Sequence, residues 1–242
     1  MNLVLDIGNS FSKIAVLSKN HTIEKLIQTA LLEKQVIENT IREFSVQKGI
    51  ISTVRNMDSD IMDFLKNSIP TFIHLMHQTP LPIENLYKTP ETLGKDRIAA
   101  AVAGNFLYPK SNVLIIDAGT SLTYEFVNDK HQYLGGAISI GLQMRFKSLN
   151  QHTAHLPLVK PEKIPPLIGD STEAAISSGV INGMIAEIEH TISHYQSLYP
   201  ELKIILTGGD TNFLVNALKS NIFVDPHLVL KGLNIILEYN AG

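Results

Sequence analysis

The stretch Asp6-Ile7-Gly8-Asn9-Ser10 and its counterpart Asp117-Ala118-Gly119-Thr120-Ser121 decide the fold of this chain. Each stretch follows an apolar run, residues 3–5 and 113–116, and each leads into a second run rich in β-forming residues. The sequence therefore predicts, twice, a strand, a tight glycine turn and a second strand. Because glycine has no Cβ, backbone N–H groups in such a turn can approach phosphate oxygens, and a nearby aspartate suits a cation.

One such motif is weak, because an ordinary β-turn is the simpler interpretation of either copy. Two copies, one in each half of the chain and each leading into a second strand, favour two related lobes that bind one nucleotide. Lys13 lies just inside the strand that follows the first turn. It could neutralise a phosphate oxygen there, or it could be an ordinary exposed lysine of a strand, and the pattern leaves both interpretations open.

The composition limits the class of protein. The chain has 242 residues, of which 44% are hydrophobic and 18% are charged, a globular composition that allows one large domain or two ordinary ones. A net charge of −3 without a long basic run argues against nucleic acid as the main partner. The absence of cysteine excludes disulfides, thiolate catalysis and cysteine-ligated metals. No signal peptide or membrane-length apolar run is visible, so we expect a soluble cytoplasmic protein with no membrane partner.

Alternating strand and helix patterns predict an α/β fold in which part of the sheet is parallel. We expect strands at residues 3–6, 13–17, 22–28, 49–53, 71–75, 113–117, 121–127, 132–140 and 203–206. Helices are expected at residues 33–44, 57–66, 98–107, 141–150, 173–198 and 212–219, and from residue 228 onward. The proline-containing residues 79–93 are expected to form an irregular loop. A boundary near residue 109 divides the chain into an N-terminal lobe, residues 1–109, and a C-terminal lobe, residues 110–242.

Three further places carry polar side chains or glycines next to a helix start. Asp96 and Arg97 are adjacent at one of them, but an aspartate there also caps a helix and complements its dipole. Ser171 or Thr172 is a natural N-cap of the next, and Thr172 could instead offer its hydroxyl to a ligand. The glycine pair 208–209, between a strand and a helix, suits an anion or is simply a tight turn.

Seven ordered motifs give the chain a resemblance to the type III pantothenate kinases, members of the superfamily that includes acetate and sugar kinases, heat-shock ATPases and actin. The motifs are DIGNS with Lys13, YKTPETLGKDR, DAGTSLT, GGAISIG, HLPLV, GDSTEAAISSG and LTGGD, and they span nearly the whole chain. The resemblance implies an α/β, two-lobe ribonuclease-H-like (actin-like ATPase) fold with mixed sheets flanked by helices. It also implies transfer of the γ-phosphate of ATP to the primary hydroxyl of pantothenate, which gives 4'-phosphopantothenate in the first step of bacterial coenzyme A biosynthesis.

The resemblance also implies roles for individual positions. ATP binding is implied for Thr120 and for the residues of the first motif: Asp6, Ile7, Gly8, Asn9, Ser10, Phe11, Ser12 and Lys13. Asp96 matches the catalytic base, Arg97 is implied near the pantothenate carboxylate, and Asp117 matches a ligand of a monovalent cation, K⁺ or NH₄⁺. Pantothenate binding is further implied for Tyr87, Gly94, Lys95 and Thr172. Mg²⁺ is expected with the nucleotide, and the family forms homodimers whose interface helps to build the pantothenate pocket.

The chain departs from the family pattern at three places without losing a reactive group. Ser10 stands where threonine is usual, Ser139-Ile140-Gly141 replaces a proline-glycine, and Ala101 occupies a position where asparagine is common. Two alternatives remain: a nucleotide-driven switch or assembly module of the same superfamily, and a kinase for another small hydroxy acid. The GKDR run and Thr172 favour a kinase over a switch, because a switch has no use for a small-molecule acid pocket.

Overall fold

The structure, a computed structural model, describes residues 1–9 and 11–242, and the chain forms two compact units. The first unit consists of residues Met1–Leu107, His131–Tyr133 and Leu228–Gly242. The second unit consists of residues Tyr108–Lys130 and Leu134–His227. This grouping differs from a single division after residue 109, because the C-terminal segment belongs to the first unit.

The first unit is built on a five-stranded mixed sheet. Its strands, in the spatial order β3-β2-β1-β4-β5, are β1 (Asn2–Ile7), β2 (Ser12–Leu17), β3 (Ile23–Thr29), β4 (Lys48–Thr53) and β5 (Thr71–His74). The first three strands form the expected antiparallel meander, whereas β1, β4 and β5 are parallel. Parallel neighbours need crossover connections, which α1 (Lys34–Glu43) and α2 (Ser59–Ser68) supply.

Helices α1 and α2 contribute to one apolar cluster with this sheet. Ile37 of α1 and Leu65 of α2 are fully buried in the same cluster as Leu5 of β1. The carboxylate of Asp58 accepts a hydrogen bond from Asp60 N at 2.9 Å and so caps the start of α2. Because β1 and β4 pair in parallel, their carboxyl ends lie at the same end of the sheet.

Residues 79–93 contain more regular structure than the sequence predicts. A short strand, β6 (Glu84–Asn85), pairs in parallel with residues 132–133, and a 3-10 helix covers Pro90–Thr92. The segment is otherwise irregular, as predicted; β6 was not predicted, because a strand of two residues has no periodicity and forms only through its partner. The next helix, α3 (Lys95–Leu107), begins at Lys95 rather than at the predicted position 98.

The second unit also contains a mixed sheet, in the spatial order β11-β10-β7-β8-β9. Its strands are β7 (Val113–Ala118), β8 (Ser121–Val127), β9 (Gln132–Ile140, of which residues 132–133 belong to the first unit), β10 (Lys203–Thr207) and β11 (Phe223–Val224). β7 is antiparallel to β8 and parallel to β10, and β10 is also parallel to β11. The helices of this unit are α4 (Leu142–Gln151), α5 (Thr172–Leu198) and α6 (Thr211–Leu214).

Helix α6 is much shorter than the helix predicted at residues 212–219. It ends at Leu214, and the backbone N–H groups of Lys219 and Ser220 donate instead to the side chain of Glu189 on α5. A helical continuation would direct the N–H group of Lys219 to the carbonyl four residues earlier. The tertiary contact with Glu189 therefore replaces the last part of the predicted helix.

Helix α5 supplies much of the core of the second unit. Ile181, Met184 and Ile188 are fully buried, in one cluster with Leu114 and Ile116 of β7. None of the helices in the described part of the chain, α5 with its 27 residues included, combines the length and apolar character needed to span a bilayer.

The C-terminal helix, α7 (Leu228–Asn240), packs closely against α3 in the first unit. Residues 99–103 of α3 are small or β-branched and are buried, and Gly232 lies directly against the carbonyl oxygen of Ala99. Asn2 of β1 donates a hydrogen bond to Asn234 Oδ1 at 2.8 Å, and Lys48 of β4 pairs with Glu238 at 2.9 Å. These contacts explain why the last segment of the chain belongs to the first unit.

Candidate active site

The first glycine turn connects β1 to β2. Gly8 N donates to Phe11 O at 3.0 Å and closes the turn, and Asp6 is the cross-strand neighbour of Lys13. Ser10, which is predicted to bind ATP, lies outside the described residues. Directly opposed residues of an antiparallel pair have side chains on the same face, so a carboxylate and an ammonium group stand together at the base of the turn.

The environment of Asp6 disfavours its negative charge. Burial raises the pKa of Asp6 from 3.8 to about 6; Lys13 acts in the opposite direction, and the nearby Asp96 raises the pKa further. Ser52, the neighbour of Asp6 on β4, favours the ionised form, although its buried Oγ has no hydrogen-bond partner of standard geometry among the described residues. Asp6, Lys13 and Asp96, which are predicted to bind ATP or substrate, are therefore within electrostatic reach of one another.

The other residues predicted to bind ATP in this turn differ in exposure. Ile7 is fully buried in the core of the first unit, so its side chain is not accessible to a ligand. Ser12 is buried as well, and its Oγ accepts a hydrogen bond from the guanidinium of Arg55 at 2.8 Å. Asn9 and Phe11 are exposed. The ATP contacts of these residues stay predictions.

The GKDR segment forms the start of α3. Asp96 Oδ1 accepts a hydrogen bond from the backbone N–H of Arg97 at 2.8 Å, which orients the carboxylate at the helix N-terminus. A Cβ on Gly94 would lie 2.6 Å from Asp96 Oδ1 and 3.3 Å from the side chain of Arg97. A larger residue at this position would therefore displace the two side chains with which the motif is predicted to act.

Three planar side chains stack next to this helix start. The Arg97 guanidinium carbon lies 5.6 Å from the centre of the Tyr87 ring, and Tyr87 in turn stacks on Tyr133 at 6.1 Å. Tyr133 is fully buried, Arg97 is 8% exposed, and Tyr87 is half-buried. A cation over an aromatic face is stabilised by the ring quadrupole. The stack fixes the positions of Arg97 and Tyr87, which are both predicted to bind pantothenate.

A cavity of about 170 Å³ lies beside the same segment in the first unit. The described residues that line it include Leu75, His77, Asn85, Glu91 and Lys95, but neither Asp96 nor Arg97. Residues three apart on a helix share a face, as Lys95 and Ile98 do here, whereas Asp96 projects elsewhere. The structure thus separates Lys95 from its two neighbours in the predicted substrate site.

The second glycine turn joins β7 to β8 in the second unit. Gly119 N donates to Ser121 O at 3.0 Å, and Asp117 lies at the end of β7, next to the parallel strand β10. Gly208 has a φ of +100°, and a Cβ at this position would clash with the Asp117 carboxylate. Thr120 is exposed on the turn. The structure therefore brings the predicted cation ligand and the predicted ATP contact of this unit next to the TGGD segment.

Asp117 is suited to the predicted monovalent cation by its chemistry. Hard cations are bound in proteins by carboxylate and carbonyl oxygens and by water. Within residues 1–9 and 11–242, no three His, Asp or Glu side chains cluster so that they could hold a metal ion. A cation at Asp117 would consequently need further oxygens from the backbone, from water or from a nucleotide.

Thr172 is the first residue of α5 and is exposed. The side chain of Ser171, not of Thr172, caps the helix by accepting a hydrogen bond from Ala174 N at 3.2 Å. Ser171 rather than Thr172 is therefore the N-cap of α5. The hydroxyl of Thr172 is not used for the cap, which leaves its predicted contact with pantothenate possible.

Three residues of this region, namely Ser52, Arg55 and Tyr133, are not marked by any motif of the sequence. Strand pairing brings Ser52 next to Asp6, and the pairing of β6 with residues 132–133 brings Tyr133 under Tyr87. Non-local pairing cannot be derived from local patterns. One usable signal exists, since Ser52 and Arg55 are polar residues at the end of an apolar parallel strand, where ligands of α/β proteins commonly bind.

The comparisons with known protein sequences agree on one family. The sequence profile of the family described as type III pantothenate kinase matches residues 2–194. A type III pantothenate kinase of Christiangramia forsetii is 48% identical over 241 residues, which cover 99% of this chain and 99% of that protein.

Solved structures show the fold. A protein of Campylobacter jejuni that was assigned to the Baf family of transcriptional activators has a TM-score of 0.61 and 25% identity, and the match covers 99% of this chain and 98% of that one. A protein of Listeria monocytogenes assigned as an N-acetylmannosamine kinase has a TM-score of 0.54 at 10% identity, over 100% of this chain and 99% of that one. Together with the mixed sheets and flanking helices, these likenesses confirm the predicted ribonuclease-H-like, actin-like ATPase fold class.

Proposed function

Because this chain belongs to the type III pantothenate kinase family, we propose that it transfers the γ-phosphate of ATP to the primary hydroxyl of pantothenate. The products are 4'-phosphopantothenate and ADP, and the reaction is the first step of coenzyme A biosynthesis. The observation that carries the proposal is the convergence of Asp6, Lys13 and Asp96 within the first unit. A group for the substrate hydroxyl and two groups for the nucleotide are thereby within reach of each other.

Asp96 is proposed as the group that accepts the proton of the pantothenate hydroxyl. The hydroxyl oxygen forms the new bond to the γ-phosphorus, the bond between that phosphorus and the bridging oxygen breaks, and ADP leaves. An ordinary carboxylate is a weak base toward an alcohol, so the proton moves late and orientation is a large part of the role of Asp96. The hydrogen bond from Arg97 N to Asp96 Oδ1 supports this role, because it fixes the direction of the carboxylate.

Arg97 is proposed to bind the pantothenate carboxylate, and Tyr87 the amide-bearing body of the substrate. A guanidinium offers two parallel N–H donors that match a carboxylate. The stacking of Arg97, Tyr87 and Tyr133 supports this assignment, because it orients both side chains before the substrate arrives. Gly94, Lys95 and Thr172 complete the proposed substrate site.

The phosphates of ATP are proposed to bind at the Asp6–Lys13 segment, with a further contact at Thr120. Lys13 would neutralise a phosphate oxygen, and Asp6 would hold Mg²⁺, which would supply positive charge to stabilise the phosphates. Asp117 is proposed as a ligand of K⁺ or NH₄⁺. The glycines around Asp117 support this role, since they leave space beside its carboxylate.

A homodimer and a cytoplasmic location are proposed as well. Large apolar residues of the second unit support the homodimer: Ile138, Leu167 and Ile168 are 64%, 82% and 83% exposed. The backbone of Leu167 is held in place, because its carbonyl accepts a hydrogen bond from Ser178 Oγ at 2.6 Å. Leu167 and Ile168 are adjacent in the chain, and neighbouring exposed apolar residues commonly mark an interaction surface. Sedimentation equilibrium of the wild type and of Leu167→Ser would test the dimer.

The decisive experiment measures ADP release with ATP, Mg²⁺ and K⁺ or NH₄⁺, with and without pantothenate. We expect release that depends on pantothenate and that falls at least about 100-fold in Asp96→Asn. Asp63→Asn, which changes an exposed aspartate of α2 in the same unit, serves as the matched control and should retain full activity. Activity without pantothenate dependence in the wild type would contradict the proposed function, and full activity of Asp96→Asn would remove Asp96 as the base.

A further inference from the structure

We propose that Arg55 is a nucleotide-binding residue that contacts a phosphate group of ATP at the first glycine turn. The inference rests on the proposed function only in that it takes the Asp6–Lys13 segment as the place of the phosphates. The resemblance assigns no role to Arg55, and three observations in the first unit carry the inference: its position, its contact with Ser12 and its charge environment.

Strand pairing places Arg55 at the first turn. β4 is parallel to β1, with Thr53 paired to Ile7, so the residues after β4 emerge beside the turn that follows β1. Val54 N donates to Ile7 O at 3.1 Å and extends this pairing by one residue. The backbone of Arg55 is then fixed by Thr53, whose Oγ1 donates to Arg55 O at 2.6 Å and accepts from Arg55 N at 3.2 Å.

The guanidinium of Arg55 is directed toward the turn. Its Nη2 donates to Ser12 Oγ at 2.8 Å. Ser12 is fully buried and lies between Phe11, which closes the turn, and Lys13, the proposed phosphate contact. This hydrogen bond uses one donor of a group that has five, and the residue as a whole is exposed. Donors therefore remain for a phosphate oxygen close to the one that Lys13 would contact.

The negative charges near the turn favour a second cation in addition to Lys13. Arg42 pairs with Glu38 and Arg145 pairs with Glu187, whereas no carboxylate among the described residues forms an ion pair with Arg55. Near the turn, the carboxylates of Asp6 and Asp96 lie within electrostatic reach of each other, and Lys13 is the cross-strand neighbour of Asp6. Bound phosphates would add further negative charge, and arginine is suited to bind it by its planar, two-pronged donors.

The test compares the affinities of ATP–Mg²⁺ and ADP–Mg²⁺ for Arg55→Gln, Arg55→Lys and the wild type by titration calorimetry without pantothenate. Arg55→Gln keeps a donor for Ser12 but loses the charge, and we expect its ATP affinity to fall about 10-fold or more. Arg55→Lys keeps the charge, and we expect a smaller loss. Arg42→Gln, which changes an exposed arginine of α1, is the matched control and should bind as the wild type does.

The outcomes separate a phosphate contact from a structural one. If Arg55 only ties β4 to Ser12, Arg55→Gln will bind both nucleotides within about two-fold of the wild type, and that result overturns the inference. Thermal melting checks that each variant is folded. If Arg55→Gln does not fold, Arg55→Ala replaces it with the same expected loss, and unchanged affinity of Arg55→Ala equally overturns the inference.

The same titration distinguishes this inference from the proposed function. If the wild type binds ATP–Mg²⁺ in an Arg55-dependent way but shows no turnover with pantothenate, the proposed substrate is wrong and the role of Arg55 stands. If turnover with pantothenate is normal and Arg55→Gln binds and reacts as the wild type does, the proposed function stands and the role of Arg55 is wrong.

Discussion

The carboxyl groups of Asp6 on β1 and Asp96 on α3 act on each other within the first unit. Burial is the main cause of the raised pKa of Asp6, and the charge of Asp96 raises it further, against the effect of Lys13. Because the charge of Asp96 disfavours the ionised form of Asp6, a cation bound at the Asp6 carboxylate would relieve this repulsion. The ionised form of Asp6 is therefore disfavoured in the substrate-free protein.

We expect Asp6→Asn to be more stable than the wild type at neutral pH and inactive as a kinase. Below about pH 3.8 the folded and unfolded states both hold the proton of Asp6, so no difference arises. Between 3.8 and about 6 the folded state retains the proton more strongly, and the wild type loses stability relative to the variant as the pH rises. Above about pH 6 the difference in the free energy of unfolding between the two proteins reaches its full size, roughly 1–3 kcal/mol.

Urea denaturation at pH 4 and pH 8 checks this prediction, with Asp63→Asn as the control for loss of one exposed negative charge. If Asp6→Asn is less stable than the wild type at pH 8, the attraction between Asp6 and Lys13 outweighs the cost of burying the carboxylate.

His21 should make the protein less stable in mild acid. Burial lowers the pKa of His21, with opposing effects of Glu238 and Lys231, and Asn234 Nδ2 donates to its neutral Nδ1 at 2.8 Å. The folded state therefore resists protonation of His21. The stability is fully present above about pH 6.5, the pKa of the unfolded histidine, and is lost as the pH falls below that value.

The stability difference between pH 7.5 and pH 5.5 should accordingly be smaller in His21→Asn than in the wild type. Asparagine also tolerates the left-handed backbone of this residue, whose φ is 62°. An equal pH dependence of the two proteins, measured by thermal melting, would show that His21 does not contribute. His74, whose pKa is also lowered by burial, contributes in the same direction and is left intact in both proteins.

Replacing Gly232 should disrupt the packing of α7 on α3. A Cβ at this position meets the backbone of Ala99, which cannot rotate away as a flexible side chain could. We expect Gly232→Ala to lower the free energy of unfolding by about 3 kcal/mol or more. The matched control is Gly179→Ala in α5, where a Cβ meets nothing within 4 Å and where alanine should stabilise the helix by about 0.5–1 kcal/mol. Equal stabilities of the two variants would contradict the close approach of α3 and α7.

Replacing Gly94 should reduce activity much more than stability. An alanine Cβ would lie 2.6 Å from Asp96 Oδ1 and 3.3 Å from the side chain of Arg97, and both side chains can move aside. We expect kcat/KM for pantothenate to fall about 100-fold in Gly94→Ala, because small displacements of the groups that orient a substrate are costly. The melting temperature should change by only a few degrees. Unchanged kcat/KM would mean that the orientation of Asp96 is not important for the reaction.

Much of the fold can be predicted from local patterns. The β1-β2-β3 meander and the apolar spacing of α1 and α2 are visible in the sequence. The structure confirms the existence and type of these elements and of the predicted helices α4 and α5. The errors occur where a distant partner decides the local structure. Residues 219–220 bind the side chain of Glu189 rather than continuing a helix, and β6 exists through its pairing with residues 132–133.

The candidate site divides in the same way. The sequence by itself determined the family, the two glycine turns and the residue types at the predicted positions, because these are properties of short, ordered motifs. Only the tertiary structure decided that Asp96 acts on Asp6, that Tyr133 supports Tyr87 and Arg97, and that Arg55 reaches Ser12. Each of these relationships joins residues far apart in the chain, and their proximity depends on strand pairing and helix packing, which are set by burial of the whole core rather than by any local pattern.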